Sequence, residues 1–267
     1  MNAVGKVAAA ARRCGSAPKY ANGSRNSTVP AGRCYSPTMR TKCVIAIGGG
    51  GMKVESPAME KYLLAQTGKA KPKVCLIPTA GADSDAAMLQ FMTVYAALGA
   101  RPAFLRLFSR RVWDIRSFLL GQDLIYVGGG NTGNMLAIWK YQGVDKILRE
   151  AWEKGVVLAG GSAGSLCWYD CGMTDICNPI MEPITCLGFL PGSHCPHYHH
   201  KNWRADYLRM VGKKLLPAGI ALDDNVAARY EGTELVEVVA ATPRSYAWQV
   251  ERAGRKVRER RLAVKRI

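Results

Sequence analysis

The stretch Val156-Val157-Leu158-Ala159-Gly160-Gly161-Ser162-Ala163-Gly164-Ser165-Leu166-Cys167-Trp168 decides how this chain is read. A short apolar run enters it, and residues able to start a helix leave it. Between them, Gly160-x-Ser162-x-Gly164 matches a nucleophile elbow, in which a serine sits on a sharp strand-to-helix turn with small neighbours because the backbone is crowded. Such a turn lifts the hydroxyl clear of the sheet and aims the next amide, here that of Ala163, at an oxyanion formed on an attacked carbonyl. Glycine-rich strand ends before helices are common in α/β proteins, so the five-residue pattern needs the rest of the chain to support it.

Outward from that turn, short apolar runs alternate with helical spacing. Cys43–Ile47, Lys73–Ile77, Ala103–Leu107, Leu124–Val127 and Val156–Leu158 read as strands, and Met59–Leu64, Ala86–Leu98, Asn134–Tyr141 and Val144–Lys154 as helices. This alternation predicts an α/β fold, a mostly parallel, doubly wound sheet with helices on both faces. After Gly188 the candidates Gly219–Leu222, Val226–Tyr230, Leu235–Ala240 and Tyr246–Val250 stand at near-hairpin spacing, which predicts antiparallel strands toward the C-terminus. Ligands of such sheets collect beyond the carboxyl ends of the strands. Gly48–Gly51, Pro78–Asp85, Gly128–Thr132 and Gly160–Gly164 all fall there.

The net charge of +17 suggests nucleic acid until it is placed along the chain. Residues 1–42 hold eight basic residues and no acid, and residues 251–267 hold eight against Glu251 and Glu259, which leaves the middle at +3. The expected organisation is therefore a disordered basic extension over 1–38, one α/β domain over 39–250 and a basic C-terminal tail over 251–267. No nucleic-acid partner is expected, since a binding surface should be folded and interleaved with aromatics. No apolar run approaches the ~20 residues of a membrane helix, so no membrane partner is expected either. Nine cysteines without a CxxC pair fit reduced thiols and a cytoplasmic location.

All four histidines lie in Gly192-Ser193-His194-Cys195-Pro196-His197-Tyr198-His199-His200. One reading is a metal site of His197 and His199 with His194 or His200, but no helical spacing specifies the ligand geometry. The other gives Ser162 an imidazole base, which a serine hydroxyl needs to become a nucleophile. That arrangement also needs an acid to orient the ring. Between Ser162 and His197 the acids are Asp170, Asp175 and Glu182. Asp170 would lie two turns along the elbow helix, whereas Asp175 follows the helix in a loop able to fold back, with Glu182 as the fallback.

The set YVGGGNTGNML (126–136), GGSAGSLCW (160–168), a downstream Asp and LGFLPGSHCPHY (187–198) followed by Arg204 and Arg209 resembles the dipeptidase E and cyanophycinase family of serine peptidases. IGGGG (47–51) and LIPTAGADS (76–84) are similar to that family as well. The resemblance covers about residues 43 to 250, with five motifs in order. It implies a flavodoxin-like fold of the class I glutamine-amidotransferase-like kind. It further implies Ser162 as nucleophile, His197 as base, Asp175 as acid, and an oxyanion hole from Ala163 with Gly129 or Gly130. Asn131 would steady its loop beside the substrate and Arg204 would meet a substrate carboxylate. The implied activity is hydrolysis of short peptides, aspartyl dipeptides among them, through an acyl-enzyme, with no cofactor and no metal. The implied partner is a small peptide substrate, and a homodimer is compatible. The alternatives are a cyanophycinase-like peptidase and a member that keeps the pocket without catalysis.

Overall fold

Residues 41–52, 55–175 and 180–267 are described in a computed structural model of the chain. The expected extension over 1–38 lies outside them. Five strands run parallel in spatial order β3-β2-β4-β5-β1: β1 (Cys43–Ile47), β2 (Lys73–Ile77), β3 (Arg101–Phe104), β4 (Leu124–Val127) and β5 (Val157–Gly161). Side chains of the four inner strands β1, β2, β4 and β5 alternate between two buried layers, as a pleated strand covered on both faces requires. Val44, Ala46, Cys75, Ile77, Ile125, Val127 and Leu158 face one layer; Ile45, Val74, Leu76, Leu124 and Ala159 face the other.

Helices supply both covers. α1 (Ala58–Ala65) and α2 (Asp85–Ala97) pack Leu63, Phe91 and Tyr95 on one face. On the opposite face, α3 (Ile115–Leu120), α4 (Thr132–Gln142) and α5 (Val144–Glu153) bring Leu119, Trp139, Leu148 and Trp152. Side-chain caps fix three starts: Ser84, Asp114 and Asn131 accept the amides of Ala87, Ser117 and Asn134 at 3.3, 2.9 and 2.8 Å.

The elbow helix, α6, is a single turn, Ala163–Leu166. It stops there because the Cys167 and Trp168 carbonyls accept from the amides of Leu187, Phe189 and Leu190 instead of continuing the helix. Asp170 therefore lies on a strand, β6 (Tyr169–Thr174), and not two turns along a helix. β6 joins a second sheet with β7 (Glu182–Thr185), β8 (Leu190–Cys195) and β9 (Gly219–Leu222); β6, β8 and β9 run parallel. Helix α7 (Lys201–Gly212) buries Tyr207, Met210 and Val211 against it.

The C-terminal strands divide between the sheets. β10 (Val226–Glu231) adds antiparallel to β1, and β11 (Glu234–Ala240) to β10. β12 (Ala247–Ala253) instead pairs with β9, and β13 (Lys256–Arg261) with β12, while β14 (Lys265–Arg266) returns to β11. The expected antiparallel section is present, but it extends two sheets. Residues 251–267, expected as a tail, are strand for most of their length.

Candidate active site

Ser162 stands between β5 and α6 with φ 56° and ψ −119°, a backbone state that costs a non-glycine residue of order 1–3 kcal/mol. Its surroundings hold it there: its amide donates to the Ile47 carbonyl at 3.1 Å, and its carbonyl accepts from Ser165 and Leu166, both at 2.9 Å. The flanking glycines are compelled by contact. A β-carbon on Gly160 would lie 2.2 Å from the Gly164 carbonyl oxygen, and one on Gly164 would lie 2.1 Å from that of Val127.

His197 follows β8, which runs in the second sheet, and it too has a positive φ, 54°. Its amide donates to the Gly48 carbonyl at 3.0 Å, so the glycine loop after β1 holds the histidine against the first sheet. Its Nε2 lies 2.8 Å from Ser162 Oγ, and its Nδ1 lies 2.6 Å from Asp224 Oδ1. A carboxylate only accepts, so Nδ1 carries the proton and donates, leaving Nε2 to accept from the serine hydroxyl. The Trp203 ring meets the imidazole edge-on at 5.2 Å.

The carboxylate beside the imidazole is not the one that the sequence reading expects. Asp224, at the carboxyl end of β9, holds the position expected for Asp175. The loop after β1 brings it in, because the amide of Asn225 (φ 62°) donates to the Gly49 carbonyl at 2.9 Å. Gly49 leaves no room for any side chain: a β-carbon there would lie 2.2 Å from Asp224 Oδ1 and 2.3 Å from His197 Cε1. Asp175 follows β6, on the other flank of β8, exposed beside a depression shared with Lys201 and Asp206. Glu182 opens β7 at the sheet's outer edge. The signal for Asp224 is in the sequence: Leu222-Asp223-Asp224-Asn225 ends a strand that the apolar run Gly219–Leu222 marks, but it lies after His197 and outside the stretch between Ser162 and His197.

Of the other expected residues, Gly129 approaches the serine; a β-carbon on it would lie 3.2 Å from Ser162 Cβ and 3.6 Å from its Oγ. Gly130 (φ 136°) turns toward Ala80, whose carbonyl a β-carbon would meet at 2.1 Å. Ala163 is the first residue of α6, where an amide has no acceptor within the helix. Asn131 is the cap of α4. The Arg204 guanidinium, expected to meet a substrate carboxylate, is paired with Glu259 on β13 at 2.9 and 3.0 Å and stacked on Tyr198 and Trp248. Its charge is engaged within the second sheet.

His194 is fully buried behind the elbow. Its Nδ1 donates to the Ile220 carbonyl and its Nε2 lies against Ser165 Oγ, both at 2.9 Å, and its ring stacks on Tyr169 at 4.6 Å. Burial pushes its pKa down to about 3, outweighing the hydrogen bond to Ile220. Both nitrogens are committed, so His194 drops out of the metal set considered above. His197, His200 and Asp224 do each offer a ligand atom within 4.8 Å of the others.

Ser162 and His197 open on a cavity of about 230 Å³ bounded by the loops after β1, β2 and β4. Met52, Leu76, Tyr126 and Gln90 supply its larger side chains, and no lysine, arginine or carboxylate lines it among the described residues.

Fold and site together define the class: a doubly wound α/β protein holding a serine at a strand tip against an imidazole and a carboxylate. The model of Peptidase family S51 matches residues 44–238, and the chain belongs to that family; it is a peptidase. It is similar to a protein of Bacillus subtilis (strain 168) named "Uncharacterized peptidase YgaJ", 40% identical over 227 residues, which are 84% of this chain and 98% of the relative. A cyanophycinase of Synechococcus elongatus is 23% identical over 208 residues, 73% of this chain and 65% of its own length. Among solved structures, a peptidase from an acI-B1 actinobacterium aligns with a TM-score of 0.62 at 18% identity, covering 85% of this chain and 96% of its own. A putative peptidase E protein from Listeria monocytogenes EGD-e aligns at 0.55 and 18%, covering 76% and 100%.

Proposed function

We propose that this peptidase is a serine peptidase of short peptides, working through Ser162, His197 and Asp224. The observation that carries the reading is the unbroken path from Ser162 Oγ to His197 Nε2 at 2.8 Å and from His197 Nδ1 to Asp224 Oδ1 at 2.6 Å. In this reading Ser162 attacks the scissile carbonyl while His197 takes its proton. His197 then returns that proton to the leaving amine, and the acyl-enzyme is hydrolysed by water through the same base. Asp224 holds the ring in the required tautomer. The amides of Gly129 or Gly130 and of Ala163 receive the oxyanion, and the crowding at Gly129 supports an approach that a side chain would block.

The small, mainly apolar cavity supports short substrates with an uncharged side chain beside the scissile bond. Aspartyl dipeptides are less favoured, because Arg204 is bound to Glu259 and no cation lines the cavity among the described residues. The working compartment in this reading is the cytoplasm, in keeping with six unpaired cysteines among the described residues.

Ser162→Ala is expected to lower turnover at least ~10³-fold on any peptide the wild type cleaves, with an unchanged circular dichroism spectrum. The measurement pairs a panel of uncharged and of α- and β-aspartyl dipeptides with fluorophosphonate labelling. Hydrolysis surviving in Ser162→Ala removes the nucleophile assignment, and a wild type that neither labels nor hydrolyses marks a non-catalytic member.

A further inference from the structure

We propose that His197, His200 and Asp224 form a binding site for a divalent transition-metal ion such as zinc, and that the ion blocks the base of the peptidase. The effect on activity rests on the serine-peptidase reading above; the binding itself does not. One ligand atom from each residue lies within 4.8 Å of the others. The donor set is two imidazoles and a carboxylate, the composition that suits zinc. His199 adds a candidate fourth ligand, its Nε2 lying 3.9 Å from Asp224 Oδ2. Water can complete the shell otherwise.

The movement required is small. Ligand atoms around a tetrahedral zinc, each about 2.1 Å from the metal, stand about 3.4 Å apart. The His197 to Asp224 contact at 2.6 Å has to open slightly. His200 has to close in; its side chain is exposed and makes no capping bond although the residue precedes α7, and its ring rests on that of His199 with centroids 4.2 Å apart. Its ring already stands at 65° to that of His197, with centroids 6.0 Å apart.

Either mode of coordination disables the base. Metal at His197 Nε2 takes the lone pair that faces Ser162. Metal at Nδ1 displaces the bond to Asp224 and leaves the remaining ring proton on Nε2, where it points at the serine as a donor. Ser162 then has no acceptor for its proton.

The test titrates zinc chloride by calorimetry into wild type, Ser162→Ala and His200→Gln, all as full-length chains, and follows peptide hydrolysis at each zinc level. The expected result is one saturable site of equal affinity in wild type and Ser162→Ala, weakened at least ~10-fold in His200→Gln, since one of three protein ligands is lost. Zinc should stop wild-type turnover and EDTA should restore it. His200→Gln should keep its metal-free rate and need at least ~10-fold more zinc for half-inhibition. Absence of saturable binding, or equal zinc affinity in His200→Gln, overturns the site while leaving the Ser162 experiment intact. Binding lost in His200→Gln without any hydrolysis by the wild type retains the site and overturns the switch.

Discussion

In the proposed mechanism the acid is assigned by one hydrogen bond, His197 Nδ1 to Asp224 Oδ1. Asp224→Asn should keep the geometry but favour the wrong imidazole tautomer, because the amide can donate to Nδ1, and turnover should fall by roughly 10³- to 10⁴-fold. Asp175→Asn should leave kcat/KM within about twofold, as expected of an exposed residue away from the ring. Steady-state kinetics of the two variants on one peptide separates them, and the opposite ranking would remove Asp224 from its role. Ser162 offers a second test, on stability. Its φ of 56° suits glycine, so Ser162→Gly should be inactive yet more stable by about 1 kcal/mol, seen as a rise of about 2–4 °C in Tm. A lower Tm would show that the hydroxyl contacts outweigh the backbone cost. The pairing of Ser162 with His197 was legible in the sequence because glycine spacing and the histidine cluster are local signals. The place of Asp224 beside His197 was not, because it depends on which strand ends adjoin in space. Arg204 was misread for a related reason: its type suits a carboxylate, and the carboxylate it meets is Glu259, 55 residues on.

Among the elements, β1, β2, β4 and β5 were legible because buried parallel strands read as apolar runs, whereas the edge strand β3 (Arg101–Phe104), exposed at both ends, starts two residues before the apolar run Ala103–Leu107. The β6 to β8 segment was not legible. β8 contains Pro191 and Gly192, and its polar members Ser193 and His194 are buried by partners far along the chain: Ser193 Oγ meets Tyr207 Oη at 2.7 Å, and His194 meets Ser165 and Ile220. The basic end reads as a tail in the sequence because its charge signals solvation, yet it forms strands. β13 is exposed on alternate residues, yet its Glu259 gathers Tyr198 Oη at 2.5 Å and Arg204. Deleting residues 251–267 should therefore remove β13, β14 and the last three residues of β12, and leave Tyr198 and Arg204 without Glu259. We expect a Tm lower by at least ~5 °C, consistent with losing a paired strand and a partly buried ion pair. Differential scanning fluorimetry measures this, and an unchanged Tm would make the segment a dispensable appendage.

For the whole molecule, the buried His194 ties global stability to acidity. Its folded pKa of about 3 lies below the ordinary histidine value near 6.5. Between these limits the unfolded chain binds a proton that the folded chain refuses. The resulting stability is complete above pH ~6.5 and falls as pH drops toward ~3, by up to about 1.4 kcal/mol per pH unit. Burial raises the carboxyls of Glu60 and Asp223, which act in the opposite sense as they protonate. The difference between wild type and His194→Asn isolates the imidazole, since the amide can still donate to Ile220. Denaturant titrations from pH 7 to 4.5 should show wild-type stability falling more steeply than that of the variant; parallel curves would mean that His194 does not remain neutral.

Ser162, His197 and Asp224 stand on separate strand ends, in that order along the chain. Lys213, Lys214 and Leu215, exposed after α7, lie between the second and the third. Severing the backbone there would put alcohol and imidazole on one fragment and the carboxylate on the other. If the proposed triad carries the reaction, each half alone should be silent toward peptides, and turnover should return only when β9 docks beside β8, so that hydrolysis would report reassembly of the two pieces.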